Sequence, residues 1–161
     1  MNMDNNNTKK KVLFVCNKGG HYSQMLELKP LMQRYDSYVL TEKKNAQEDL
    51  IGFAQAMSMD NYNVMDHKLW NFLKSLLHCR RIWKKIKPRY IISTGAAFAL
   101  PMYIIGKLYG SKLIWIETRA KVYTPTRTGR QISKFCDKII VQWPEMLEVY
   151  GEKAEYHGIL A

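Results

Sequence analysis

Acidic side chains are missing from the middle of this chain. The fifty residues from His67 to Ile116 hold ten Lys and Arg and no Asp or Glu. The flanks are balanced, with eight basic against eight acidic side chains in residues 1–66 and seven against six in residues 117–161. Nearly all of the formal charge of +11 on the 161 residues is therefore one block, whose natural partner is anionic: phosphate, nucleic acid or a membrane surface. Cysteine is also scarce. Cys16, Cys79 and Cys136 stand about sixty residues apart, which argues against a disulfide framework and a zinc module and fits a reducing cytosol. Nine Gly and five Pro are too few for a fibrous or low-complexity chain, and 25 Lys and Arg against 14 Asp and Glu exclude an acidic disordered one. Long apolar runs are absent too. Tyr90 to Gly106 gives seventeen residues without a charge, but Ser93, Thr94, Gly95 and Pro101 interrupt it. Crossing a bilayer takes roughly 20 apolar residues. No secretory signal is expected either: Met1 to Thr8 is polar and Asn-rich, a disordered lead-in to one domain starting at Lys11.

What is present is a rhythm of short apolar runs and amphipathic stretches. Lys11 to Cys16 reads as a strand buried on both faces, followed by the turn Asn17-Lys18-Gly19-Gly20 and a helix from His21 to Arg34 that Pro30 kinks or divides. Tyr38 to Leu40 reads as a second strand, Gln47 to Met57 as a helix and Tyr62 to Met65 as another strand. A helix from Leu69 to Ile86 stops before Pro88. The alternation then repeats: strand Tyr90 to Ser93, helix Phe98 to Tyr109, strand Lys112 to Ile116, a polar loop from Thr118 to Thr128 and a short helix at Gln131 to Phe135. Strand Lys138 to Val141, helix Pro144 to Tyr150 and strand Ala154 to His157 complete it. This order predicts a Rossmann-like α/β domain, a mostly parallel sheet with helices on both faces.

Ligands of such sheets bind beyond the carboxyl ends of the strands, where three features fall. Asn17-Lys18-Gly19-Gly20-His21 follows the first strand; its glycines allow close backbone approach and a helix start favours phosphate. The spacing is not GxGxxG, so the dinucleotide fingerprint is absent; the plainer reading is a tight turn with His21 as a cap. Ser93-Thr94-Gly95-Ala96-Ala97 offers hydroxyls and small residues, or simply tight packing of helix on sheet. Glu117, followed by Thr118 and Arg119, is the first acid after the basic block and stands at a strand end, as a site carboxylate or as a surface partner of Arg119. Convergence on one rim favours the functional readings. His67, His78 and His157 have no partner at catalytic spacing, and Cys16 and Cys136 read as core fillers.

The helix from Leu69 to Ile86 carries two stripes. Leu69, Phe72, Leu73, Leu76, Cys79, Trp83 and Ile86 form the face expected to be buried. Beside it Trp70, Lys74, Leu77, Arg81 and Lys85 mix a ring and a leucine with cations, which suits an anionic leaflet as well as a solvated basic face. Nucleic acid is the weaker competitor, because no recognition motif accompanies the charge.

Val12 to Cys16 followed by Gly19-Gly20-His21 and Gln24-Met25-Leu26, then Ile92 to Ala96, Ile116-Glu117, Arg119-Ala120 and Val141-Gln142-Trp143 resemble, in order, the PssD/CpsF-type bacterial polysaccharide-biosynthesis proteins. These are relatives of the acceptor-side, membrane-recruiting subunit of the split dolichyl-diphosphate N-acetylglucosamine transferase. The resemblance covers about Lys11 to Gly158. It implies the amino-terminal half of a MurG-like GT-B glycosyltransferase, peripheral on the cytoplasmic face of the membrane, holding a polyprenyl-diphosphate-linked saccharide for capsule or exopolysaccharide synthesis. A separate donor-binding subunit would bring the UDP-sugar, and no cofactor or metal is implied for this chain. Gly19, Gly20, His21, Ser93, Thr94 and Gly95 would then face the acceptor diphosphate, with His21 or Glu117 as base. Imidazole titrates near neutral pH, as a general base should. The eukaryotic subunit has an amino-terminal membrane helix where this chain has the polar Met1 to Lys11, so attachment would rest on the basic block and apolar patches. The alternatives are a non-catalytic scaffold that recruits the catalytic partner, and an unrelated Rossmann-like nucleotide or phosphate binder.

Overall fold

The computed structural model describes residues 9–42, 46–58, 68–95 and 99–160. Seven strands form one parallel sheet in the order β3-β2-β1-β4-β5-β6-β7. They are β1 (Lys11–Cys16), β2 (Asp36–Thr41), β3 (Gln55–Ser58), β4 (Tyr90–Gly95), β5 (Lys112–Ile116), β6 (Lys138–Val141) and β7 (Ala154–Tyr156). The chain works outward from β1 to β3, then returns to start again at β4. Crossovers to either side part at β1 and β4, opening a crevice at their carboxyl ends. The α/β sequence pattern predicted this architecture, and the lead-in Met1 to Thr8 lies outside the described residues.

Alternate residues of each central strand feed opposite cores. Leu13, Val15, Ile91, Leu113 and Trp115 pack with α4 (Lys68–Ile86), α5 (Ala99–Leu108), α6 (Arg127–Ile132) and α7 (Met146–Tyr150). Val12, Phe14, Cys16, Val39 and Ile92 pack with α1 (Gly20–Leu26), α2 (Lys29–Met32) and α3 (Ala46–Asp49). Burial on both faces is why these strands read as continuous apolar runs. Burial also pushes the thiols of Cys16, Cys79 and Cys136 up to about 12, so none is a ready nucleophile at neutral pH.

One expectation is met and two change. Pro30 sits in the first turn of α2 and divides the helix expected from His21 to Arg34 into α1 and α2. The helix expected at Gln47 to Met57 is only the four-residue α3, and Gln55–Ser58 is strand β3, paired with Tyr38–Thr41. Sheet pairing there overrides a polar, patternless local sequence. On α4 the buried positions are Ser75, Cys79, Ile82 and Ile86, while Leu73 is exposed, so the buried stripe is rotated from the expected one. The strand expected at Tyr62 to Met65 lies outside the described residues, as do Ala96 to Phe98. Among the described residues, no helix is long and apolar enough to cross a membrane.

Candidate functional site

The turns after β1 and β4 are locked into one unit at the crevice. The Asn17 N–H donates to the Gly95 carbonyl at 3.1 Å. The Nδ1–H of His21 donates to the Thr94 carbonyl at 2.8 Å, and the Thr94 hydroxyl returns a 2.8 Å bond to the carbonyl of His21. Because a carbonyl only accepts, Nδ1 carries the proton of the neutral ring and Nε2 carries the lone pair. The ring lies directly on Gly95, where any Cβ would collide with it; Gly95 also has φ 130°, a conformation side chains rarely adopt. The sequence thus spends its glycine where imidazole and backbone meet.

Gly20, His21, Ser23 and Gln24 on this side, with Thr118, Arg119, Ala120 and Thr126 opposite, line an open groove of about 500 Å³. The first glycine turn and the segment after β5 do converge. Gly19 and Lys18 are exposed beside it. Ser93 and Thr94 do not line it. Both are completely buried, with the Ser93 hydroxyl accepting from the Gly95 N–H and the Thr94 hydroxyl engaged with His21. Their side chains build the turn that seats His21.

Glu117 is 1% exposed and faces inward. One carboxylate oxygen accepts the Thr118 N–H at 3.0 Å; the other accepts the Thr126 N–H, the Thr126 hydroxyl and the Tyr150 hydroxyl. Burial first, then the Glu117 contact, raises the Tyr150 phenol well above its ordinary value, so it stays a donor. Gly129 leaves room for this cluster, since a Cβ there would strike the carboxylate, Tyr150 and Thr126, whose side chain caps α6. With every oxygen taken and none lining the groove, Glu117 holds the loop that carries Thr118 and Arg119. Of the two candidate bases, only His21 lines the groove.

A second clamp fixes the same loop. The Gln142 amide donates to the Glu117 carbonyl at 2.8 Å and accepts the Leu160 N–H at 3.0 Å. The Trp143 indole donates to the Arg119 carbonyl at 2.7 Å. Sequence reasoning assigned no role to Thr126, Tyr150, Gln142 or Trp143; the Gln-Trp pair at the end of β6 was the available signal.

On the sheet face opposite to α1, α4 carries its exposed stripe. Trp70 is 69% and Leu77 55% exposed, and Lys74, Arg81 and Lys85 are exposed as expected. Trp70, Leu73, Leu77 and Arg80 help line an apolar groove of about 390 Å³ against Ile105 of α5.

The family described as "Oligosaccharide biosynthesis protein Alg14 like" matches residues 32–160. The chain belongs to the Alg14-like family. Among relatives, the UDP-N-acetylglucosamine transferase subunit ALG14 of Yarrowia lipolytica is 22% identical over 178 residues, covering 93% of this chain and 81% of that protein. A Staphylococcus aureus UDP-N-acetylglucosamine--N-acetylmuramyl-(pentapeptide) pyrophosphoryl-undecaprenol N-acetylglucosamine transferase is 27% identical over 154 residues, with 86% of this chain and 42% of that one covered. Among solved structures, Acinetobacter baumannii MurG superposes with a TM-score of 0.74 at 17% identity, covering 94% of this chain and 46% of MurG. A UDP-N-acetylglucosamine 2-epimerase does so at 0.71, also at 17% identity, with 94% and 48% covered. The Alg14-like chain therefore has the fold of MurG-like GT-B domains and spans about half the length of those solved chains. Since epimerases share that fold, the fold alone does not choose the reaction.

Proposed function

We propose that this chain is the acceptor-binding, membrane-associating subunit of a two-component glycosyltransferase. The pair transfers a sugar from a UDP-sugar to a polyprenyl-diphosphate-linked saccharide, in the PssD/CpsF-type branch of the family that makes capsule or exopolysaccharide. The observation that carries the reading is His21, fixed through Nδ1 on the β4 turn with Nε2 free, at a groove whose far wall bears Arg119. That arrangement suits an acceptor with two chemistries: a diphosphate near Arg119 and a hydroxyl losing its proton to Nε2 as it attacks the anomeric carbon. Gly19 and Gly20 keep the near wall low enough for a lipid-linked diphosphate, and Gly95 keeps the ring in place. The donor sits on the partner subunit, which closes over the groove and excludes water. The exposed Trp70 and Leu77 among Lys74, Arg81 and Lys85 rest on the anionic cytoplasmic leaflet, where each cation contributes about 1 kcal/mol.

The test is reconstitution with the donor-binding partner. His21→Ala abolishes transfer while the complex still forms at wild-type affinity. If transfer survives intact, the chain is a recruiting scaffold and its partner holds all the chemistry.

A further inference from the structure

One polar group in the groove has no role above. Gln24 is 4% exposed and lines the groove, and among the described residues no hydrogen bond joins its side-chain amide to the rest of the protein. Nor is it sealed away. The Asn17 Oδ1 is fully enclosed without a partner, whereas the amide atoms of Gln24 keep access to the groove that this residue lines. Gln24 also follows His21 by three positions on α1, so the two stand as neighbours on one helix face.

The chemistry of the amide narrows what it meets. It presents two N–H donors and a carbonyl acceptor side by side. A diphosphate offers acceptors only and would repel the carbonyl, and the cation for it is Arg119 across the groove. A sugar hydroxyl both gives and takes a hydrogen bond, which is the complement of an amide. We propose that Gln24 is a specificity-determining residue that reads a hydroxyl of the sugar borne by the diphosphate, and thereby turns that sugar toward Nε2 of His21. This rests on the acceptor-binding reading above and adds the residue that distinguishes a glycosylated diphosphate from a bare one.

The experiment is calorimetric binding to the full chain, with three probes: citronellyl diphosphate and its glucosyl and N-acetylglucosaminyl derivatives. The wild type is expected to bind at least one sugar-bearing probe about tenfold or more tighter than the bare diphosphate. Gln24→Met, of similar volume, erases that increment to within about twofold and leaves the affinity for bare diphosphate unchanged. Its melting temperature stays close to that of the wild type, since the amide that is replaced opens onto the groove. Gln24→Glu, which keeps the shape and loses the donors, also loses the increment. Should the increment persist in both variants, or both melt lower and lose all probes alike, Gln24 is merely structural and the proposal is wrong. If the wild type binds bare diphosphate but shows no sugar increment, Gln24 alone loses its role. If it binds no probe, the acceptor site falls and this inference with it.

Discussion

The two rims of this parallel sheet are built to opposite rules. At the amino-terminal rim the polar groups around Ser111 and Asp137 are matched with one another. The Trp83 indole donates to the Ser111 hydroxyl, which donates to the Pro88 carbonyl, at 2.8 and 2.7 Å. Asp137 accepts the Leu113 N–H at 2.9 Å and pairs with Lys112 at 3.0 Å and Lys107 at 3.6 Å. At the carboxyl-terminal rim the matching is partial by design. Glu117 and Thr94 are fully engaged, and Thr94 holds the His21 ring by Nδ1 so that Nε2 is left to the groove. Polar satisfaction at one rim fastens the sheet; at the other it is spent on posture.

The sharpest way to break this contrast is Gly95→Ala. The new methyl meets the His21 ring, and the residue must also hold a φ of 130°. The expected cost is about 1–3 kcal/mol of stability, together with a loss of about 10²-fold or more in transfer by the reconstituted pair as the imidazole is unseated. Combined with His21→Ala, the part of the stability cost that comes from the ring should vanish, while the strain of holding a φ of 130° remains. A melting curve of the single and double variants reads this directly.

Glu117→Gln comes next. An amide nitrogen placed among Thr118 N–H, Thr126 N–H and the two hydroxyls opposes at least one donor, for about 1–3 kcal/mol of stability. Transfer should fall only in part, through a higher acceptor KM, because His21 is untouched. Loss as complete as that of His21→Ala would instead make Glu117 a chemical participant.

The smallest effect is expected at the far rim. Asp137→Asn should cost about 1 kcal/mol and leave transfer unchanged. Burial pushes the Asp137 carboxyl up, but the Leu113 N–H, Lys112 and Lys107 outweigh it and hold it below its ordinary value. A depressed carboxyl stabilises the folded state fully above its unfolded value, and that contribution is lost as pH falls through the folded one. Wild type and Asp137→Asn should therefore differ in melting temperature at neutral pH and converge in strong acid.

The sequence made much of the frame readable and less of the site. Runs such as Val12 to Val15 and Ile91 to Ile92, buried on both faces, announce a parallel sheet because nothing else keeps consecutive apolar residues dry. The edge strand Gln55–Ser58 was hidden, since its pairing comes from β2 and its own side chains are only half buried. At the site, glycines and His21 were visible as residue types at strand ends. The inward turn of Glu117, Ser93 and Thr94 was not, because a side chain's direction at a strand end depends on loops that periodicity does not describe. Gln24 stood in the helix pattern as a polar residue on a face that only the groove explains.

The central claim is that the lipid-linked diphosphate occupies the crevice where the turns after β1 and β4 meet the loop after β5. Amide NMR of the full chain titrated with citronellyl diphosphate tests this most directly. Shifts concentrated at Gly20, His21, Ser23, Thr118 and Arg119, with the amino-terminal rim silent, are the predicted result. Shifts confined to the rim around Ser111 and Asp137, or none at all at saturating probe, would contradict it.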